Sequence, residues 1–209
     1  MSNYLWILDA GHSGMKDGVY LTAPAKMHRF ADGLIIYEGV INRAIAKHVY
    51  LQLVELNIDH KLVYDEQEDD SLSIRVQRAD KIYAKDKRAV YLSIHSNCSP
   101  PHIVGAGSGF EIFTSPGQTK SDKIANVFCE TYEKLFPEFK MRCDKADGDA
   151  DKEADFFVLR KTDCPAILVE NLFFDNRREA EFLLSTEGQQ QIACAIVQAI
   201  QNVEYLKPI

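Results

Sequence analysis

The sequence predicts an α/β fold, a mostly parallel central sheet with helices on both faces. Three observations predict it. Short, nearly continuous apolar runs recur at Tyr4 to Leu8, Ala89 to Ile94 and Ala166 to Val169, as strands buried on both faces require. Amphipathic stretches of helical period separate them. Each run also ends in polar residues: Asp9-Ala10-Gly11-His12, His95-Ser96-Asn97 and Glu170-Asn171. Ligands of such sheets sit beyond the carboxyl ends of the strands, so chemistry is expected at that edge.

Taken in order, Tyr4 to Leu8 is the first strand. Residues 13 to 33 lack sustained periodicity and contain Gly14, Gly18, Pro24 and Gly33, which reads as a long functional loop able to wall a cleft. From Leu34 the pattern is helical, with Ile41, Ile45, Val49 and Leu53 on one stripe and Glu38 in the first turn. Ile58 to Tyr64 reads as a strand, Ser71 to Lys85 as a helix and Ala89 to Ile94 as a second buried strand. Gly109 to Thr114 alternates as a strand, and Lys120 to Leu135 is helical. Pro137 to Asp155 is polar, acidic and without apolar period, a surface loop. Ala166 to Val169 is a third buried strand, and Arg177 to Leu184 and Glu187 to Val203 close the fold as helices. No internal repeat or Pro/Ser-rich linker interrupts this order, so residues 1–209 are read as a single domain with no separate second domain.

The chain has 209 residues, 46% hydrophobic and 26% charged, which excludes a disordered or fibrous chain. A chain of this size holds a rigid site without structural staples, so a metal would serve chemistry. Lys and Arg number 24 against 31 Asp and Glu, a net charge of −7 that repels a phosphate backbone and excludes nucleic acid as a partner. No stretch approaches the ~20 apolar residues of a membrane span. Met1 to Asp9 shows neither a basic nor a cleavable apolar leader region, so the chain is expected to be made in the cytoplasm without a signal peptide. The 5 cysteines contain no CxxC pair and read as reduced thiols.

Two histidines and two carboxylates fall near the sheet edge: His12, His95, Glu38 and Glu170. A catalytic zinc site takes three His or carboxylate ligands and keeps one open position. His12, Glu38 and His95 supply a His₂Glu set, which leaves the fourth group free to move protons. Singly, each has a plainer explanation. A histidine at a strand end is usually a hydrogen-bonded structural group, and the helix dipole favours Glu38 in a first turn by ~0.3 to 1 kcal/mol. Glu170 is harder to explain so, because a carboxylate emerging from a buried strand needs a cation nearby. Arg75 and Arg78 read as exposed helix cations rather than partners of a ligand carboxylate, Arg160 and Lys161 equally as cleft-lining or as solvated loop charges, and His102 as a surface histidine rather than an extra ligand. Cys98 has no base tied to it by spacing.

These motifs resemble, in order and over nearly the whole chain, the zinc-dependent N-acetylmuramoyl-L-alanine amidases. Ile7 to Gly14 is similar to the family's Gly-His motif, and Glu38 with Asn42 to its metal-glutamate helix. Leu72-Ser73-Ile74-Arg75 with Ala79 looks like the helix before the second histidine, and Leu92 to Asn97 matches the second-histidine motif. Gly109 to Thr114 is similar to the strand that follows. Pro165 to Asn171, with Phe173, Asn176, Glu179 and Leu183, resembles the closing motif that carries the catalytic glutamate. The resemblance implies a phosphorylase/hydrolase-like fold, one Zn²⁺ held by His12, Glu38 and His95, and Glu170 as general base. The implied reaction is hydrolysis of the amide between the lactyl group of N-acetylmuramic acid and L-alanine, with the stem peptide and glycan of peptidoglycan as partners. A zinc peptidase cutting within the stem peptide and an inactive peptidoglycan-binding module remain the alternatives. Asp80 stands where the family usually has asparagine, and Asn171 where a small hydroxyl residue is common. A signal-less wall hydrolase resembles a phage endolysin that reaches the wall after holin-type release, though an exported effector reads the same.

Overall fold

Along β1 (Leu5–Ala10), Trp6, Leu8 and Ala10 enter one hydrophobic core while Leu5 and Ile7 enter another. That alternation is what a strand covered on both faces produces. The computed structural model describes residues 2–22, 26–145 and 148–206. After β1 come two short hairpins, β2 (Met15–Lys16) with β3 (Val19–Tyr20), then β4 (Met27–Arg29) with β5 (Ile35–Tyr37). They lead into α1 (Glu38–Glu55), β6 (His60–Leu62), α2 (Leu72–Tyr83) and β7 (Ala89–Asn97). A 3-10 turn at Pro101–Ile103 precedes β8 (Glu111–Thr114), α3 (Lys120–Leu135) and β9 (Lys152–Glu153). The order closes with α4 (Phe157–Lys161), β10 (Ala166–Phe173), α5 (Arg177–Leu184) and α6 (Thr186–Glu204).

Six strands form one sheet in the order β6-β1-β7-β10-β8-β9. All neighbours run parallel except β8 against β10. The larger core packs α1, α3 and α6 on the side of Trp6, Leu92 and Val169; the smaller packs Val76 and Ala79 of α2 and Val158 and Leu159 of α4 on the side of Ile7, Tyr91 and Leu168. This inequality positions the site. On the thin side α2 has 12 residues and α4 only 5, and Leu72 and Phe157 at their starts border a cleft at the strand ends.

Three expectations need correction. Residues 13–33 are not one loop, and the helix does not begin at Leu34. Ile35–Tyr37 instead pairs antiparallel with Met27–Arg29. The turn between them is fixed by bonds from Phe30 N to Leu34 O and from Gly33 N to Phe30 O, with Gly33 at φ +92°. The helix starts at Glu38, whose N–H donates to Lys26 O at 2.9 Å. The polar segment from Pro137 to Asp155 is also part of the sheet, because Lys152–Glu153 pairs with β8 and Met141 bridges to Phe110. Its polarity suits an edge strand, where backbone pairing does not require apolar side chains. Pro24 and, within the acidic segment, Ala146 and Asp147 lie outside the described residues, as do Met1 and residues 207–209 of the expected 1–209 unit.

Candidate metal centre

The register of the sheet gathers the polar strand ends onto its thinly covered face. Tyr91, Ser93 and His95 pair with Ala166, Leu168 and Glu170, and Glu170 pairs in turn with Glu111 on β8. His95 and Glu170 are therefore side by side on adjacent parallel strands, the first on the central strand β7.

At the end of β1, His12 takes a left-handed conformation, φ +64°, which costs a non-glycine residue ~1–2 kcal/mol. Two guanidinium groups hold it there. Arg43 Nη2 and Arg75 Nη2 each donate to His12 O at 2.7 Å. Arg75 is 1% exposed and spends every nitrogen locally. Its Nη1 meets Asp9 Oδ1 at 2.5 Å and Ala10 O at 2.6 Å, and its Nε donates to Asp70 O. Tyr91 and Ser93 hydroxyls donate to the other oxygen of Asp9. The expectation of an exposed helix cation fails for Arg75, which is an internal clamp on the strand that delivers His12. Arg78 instead pairs with Asp70 and Arg160 with Asp155.

Glu38, in the first turn of α1, lies between the two imidazoles: Oε2 is 3.1 Å from His12 Nε2 and Oε1 is 3.0 Å from His95 Nδ1. The rings stand edge to face, 5.1 Å between centroids. The donor atoms of His12, Glu38 and His95 all lie within 4.8 Å of one another, an arrangement that can hold a metal ion. Burial pushes the Glu38 carboxyl up, but the hydrogen bonds and charges of His12 and His95 outweigh it and hold the pKa at about 2. Asn42 Nδ2 and the Ser96 N–H also donate to Oε1, and Ser96 Oγ donates to Asn42, the outer bonding that orients metal ligands. Two imidazole nitrogens and one ionised carboxylate are a donor set for zinc rather than for calcium or magnesium, which take all-oxygen shells.

Gly11 adds a steric condition. A Cβ there would lie 2.1 Å from His95 Cε1, so only glycine leaves the imidazole its place.

Glu170 stands beside this triad. Its Oε2 is buried and has no hydrogen-bond partner among the described residues. Burial, with the charges of Glu38 and Glu111, pushes its carboxyl up to about 8, only partly offset by His95 and Lys26. A β-bulge follows it: the pairing of β10 with β7 is regular to Glu170 and His95, then shifts, with Leu172 at φ +62°. Bulges re-aim side chains next to active sites. Here Asn171 spans the disturbance, donating to His95 O at 3.0 Å and accepting from the buried Tyr132 hydroxyl at 3.0 Å.

The four residues singled out by sequence are thus brought together. Sequence reasoning missed Arg43, Tyr132 and the role of Gly11; the only signal for Gly11 was its place before His12. Cys98 lines the cleft, but burial pushes its thiol up to about 11, which disfavours a thiolate nucleophile. His102 sits in the 3-10 turn and is neither among the converging donors nor among the residues lining the cleft. Asp80 accepts from the Asp163 N–H, a role outside the site.

Two lobes of a cleft meet at His12 and His95. One, about 290 Å³, is walled by Leu72, Phe156, Phe157 and Leu168 and includes Glu170; the other, about 420 Å³, runs along Asp69, Asp70 and Ser71. Both include Lys26.

Residues 7–202 match the family model described as N-acetylmuramoyl-L-alanine amidase. The chain is 28% identical over 208 residues to an endolysin of Bacillus phage SPP1, covering 99% of this chain and 68% of that protein. It is 30% identical over 186 residues to the N-acetylmuramoyl-L-alanine amidase CwlM of Bacillus licheniformis, covering 89% of this chain and 63% of that one. The structure of AmiC2, an N-acetylmuramoyl-L-alanine amidase of Nostoc punctiforme, superposes with a TM-score of 0.74 at 25% identity, over 96% of this chain and 97% of that one.

Proposed function

Since the chain belongs to the N-acetylmuramoyl-L-alanine amidase family, we propose that it hydrolyses the amide between the muramic acid lactyl group and L-alanine of peptidoglycan, with His12, Glu38 and His95 holding one Zn²⁺ and Glu170 as general base. The observation that carries this reading is a buried, unpartnered Glu170 oxygen beside three converging metal donors. An isolated buried carboxylate is costly, and a dication at the triad offsets that cost.

Zinc bound there supplies Lewis acidity, polarising a carbonyl and making a water acidic near neutral pH. The remaining work falls to side chains of the chain. Glu170 accepts the proton of the attacking water as the bond to the carbonyl carbon forms. It then returns that proton to the alanine nitrogen, which leaves as an amine. A carboxyl that burial raises toward working pH can do both, and burial raises that of Glu170. Asn42 and Ser96 keep Glu38 in place, Arg75 and Arg43 fix the His12 turn, and the apolar wall of Phe156, Phe157 and Leu168 keeps bulk water from the reacting amide. The likeness to a phage endolysin supports a setting in wall breakdown at lysis, with residues 7–202 as the catalytic unit.

Glu170→Gln tests the assignment. Elemental analysis should find the variant still carrying one zinc, while turnover of peptidoglycan falls by roughly 10²–10⁴. Wild-type turnover in that variant would remove Glu170 from the reaction.

A further inference from the structure

Lys26 occupies an unusual place in the cleft. It lines both lobes, and its own carbonyl accepts the N–H of Glu38, so its backbone is tied directly to the triad. The other charged side chains of the Glu170 lobe, the two imidazoles aside, are Glu38 and Glu170, both acidic. In the second lobe the other cation, Arg75, is fully engaged by Asp9 and by the carbonyls of Ala10, His12 and Asp70. Lys26 has no ion pair or side-chain hydrogen bond among the described residues, and it is an exposed residue that lines the cleft. Its donors are therefore free for a ligand, and its charge acts within the cleft, where it already favours the ionised form of Glu170.

The substrate has a place for such a cation. The scissile amide must lie at the triad beside Glu170, so the residue after the alanine lies a few ångströms further on, in a cleft whose two lobes both carry Lys26. The lobe's apolar wall offers that residue no charged partner, and Glu38 and Glu170 repel a carboxylate. Resting on the amidase reading, we propose that Lys26 is a specificity residue, selecting stem peptides whose residue after L-alanine bears a free carboxylate over those in which it is a primary amide. The ammonium gains a charge-assisted bond with the carboxylate and only a neutral one with the amide.

The experiment crosses two synthetic muramoyl dipeptides, identical except for carboxylate or carboxamide on the second residue, with zinc-loaded wild type and Lys26→Gln. Wild type is expected to favour the carboxylate roughly tenfold in kcat/KM, carried mainly in KM, since charged hydrogen bonds are stronger than neutral ones. In Lys26→Gln that ratio should fall close to one, and Lys26→Arg should restore it. Calorimetry in the Glu170→Gln background reads the same ratio as affinity, without turnover. Equal use of both substrates by wild type, or a ratio unchanged in Lys26→Gln, overturns the proposal while leaving the amidase reading intact. Cleavage of neither by zinc-loaded wild type overturns the amidase reading and this inference with it.

Discussion

Gly11→Ala is a change of one methyl group whose effect follows from distances alone. The new Cβ would lie 2.1 Å from Cε1, 2.4 Å from Nε2 and 2.5 Å from Nδ1 of His95, where ordinary contact begins at 3.4 Å. The backbone cannot retreat easily, because Gly11 N donates to Ile94 O and Gly11 O accepts from Asn42 and Arg43. The imidazole must therefore move by roughly 1 Å or more, away from the position in which Nδ1 faces Glu38. A displacement of that size at a reacting centre costs ~10²-fold in rate. Loss of ligand orientation costs roughly 10–100-fold in metal affinity, and overpacking destabilises by about 1–3 kcal/mol. For a chain of this length that lowers Tm by roughly 3–10 °C. Zinc affinity by calorimetry with a competing chelator, kcat/KM on peptidoglycan and a thermal melt measure the three effects. If the purified variant kept zinc affinity and kcat/KM within about twofold of wild type, the steric argument would be refuted.

Further predictions concern the groups that hold the site. Arg75→Met leaves Asp9 buried without its cation, and denaturant unfolding at pH 7 should show a loss of about 3–5 kcal/mol; a loss below about 1 kcal/mol would mean the clamp is not structural. Asn171→Ala removes the donor to His95 O, and Tyr132→Phe removes the support of that donor. Both should lower kcat with KM nearly unchanged, and the double variant should be no worse than Asn171→Ala; additive effects on kcat would show that the three groups do not act as a unit. Asp151, only 2% exposed, has its carboxyl pushed up to about 7 by burial and by Asp149 and Asp122. The folded state thus binds a proton that the unfolded chain has already lost above its ordinary value of 3.8, so this residue's contribution to stability falls as pH rises from about 4 to about 7 and is flat beyond. Asp151→Asn should remove that slope and raise Tm at pH 8; an unchanged pH profile would contradict the shift.

Much of this molecule could be read from its residues because its core strands and its chemistry obey the same rule. Tyr4 to Leu8, Ala89 to Ile94 and Ala166 to Val169 are apolar runs buried on both faces, and their polar ends fall where a parallel sheet places ligands. What escaped has physical reasons. The strands Met15–Lys16, Val19–Tyr20 and Met27–Arg29 are too short for a period to show. Ile35–Tyr37 continues an apolar stripe into α1, so strand and helix merge in the pattern. Lys152–Glu153 is polar because its backbone pairs with the sheet edge and its side chains bond polar groups there, Lys152 with Glu111 and Glu153 with the Gly117 N–H. Arg75 reads as solvated by its helical surroundings, and only the fold reveals Asp9 and three carbonyls converging on it. The bulge after Glu170 carries no marker, because Leu172 adopts a conformation that favours glycine.

The most direct test of the account is mass spectrometry of muropeptides released from peptidoglycan by the purified protein, run with zinc, with chelator and with zinc restored. Free stem peptides beginning at L-alanine are expected, lost with chelator and recovered with zinc. Fragments cut within the stem peptide, or release of the same products in chelator, would contradict it.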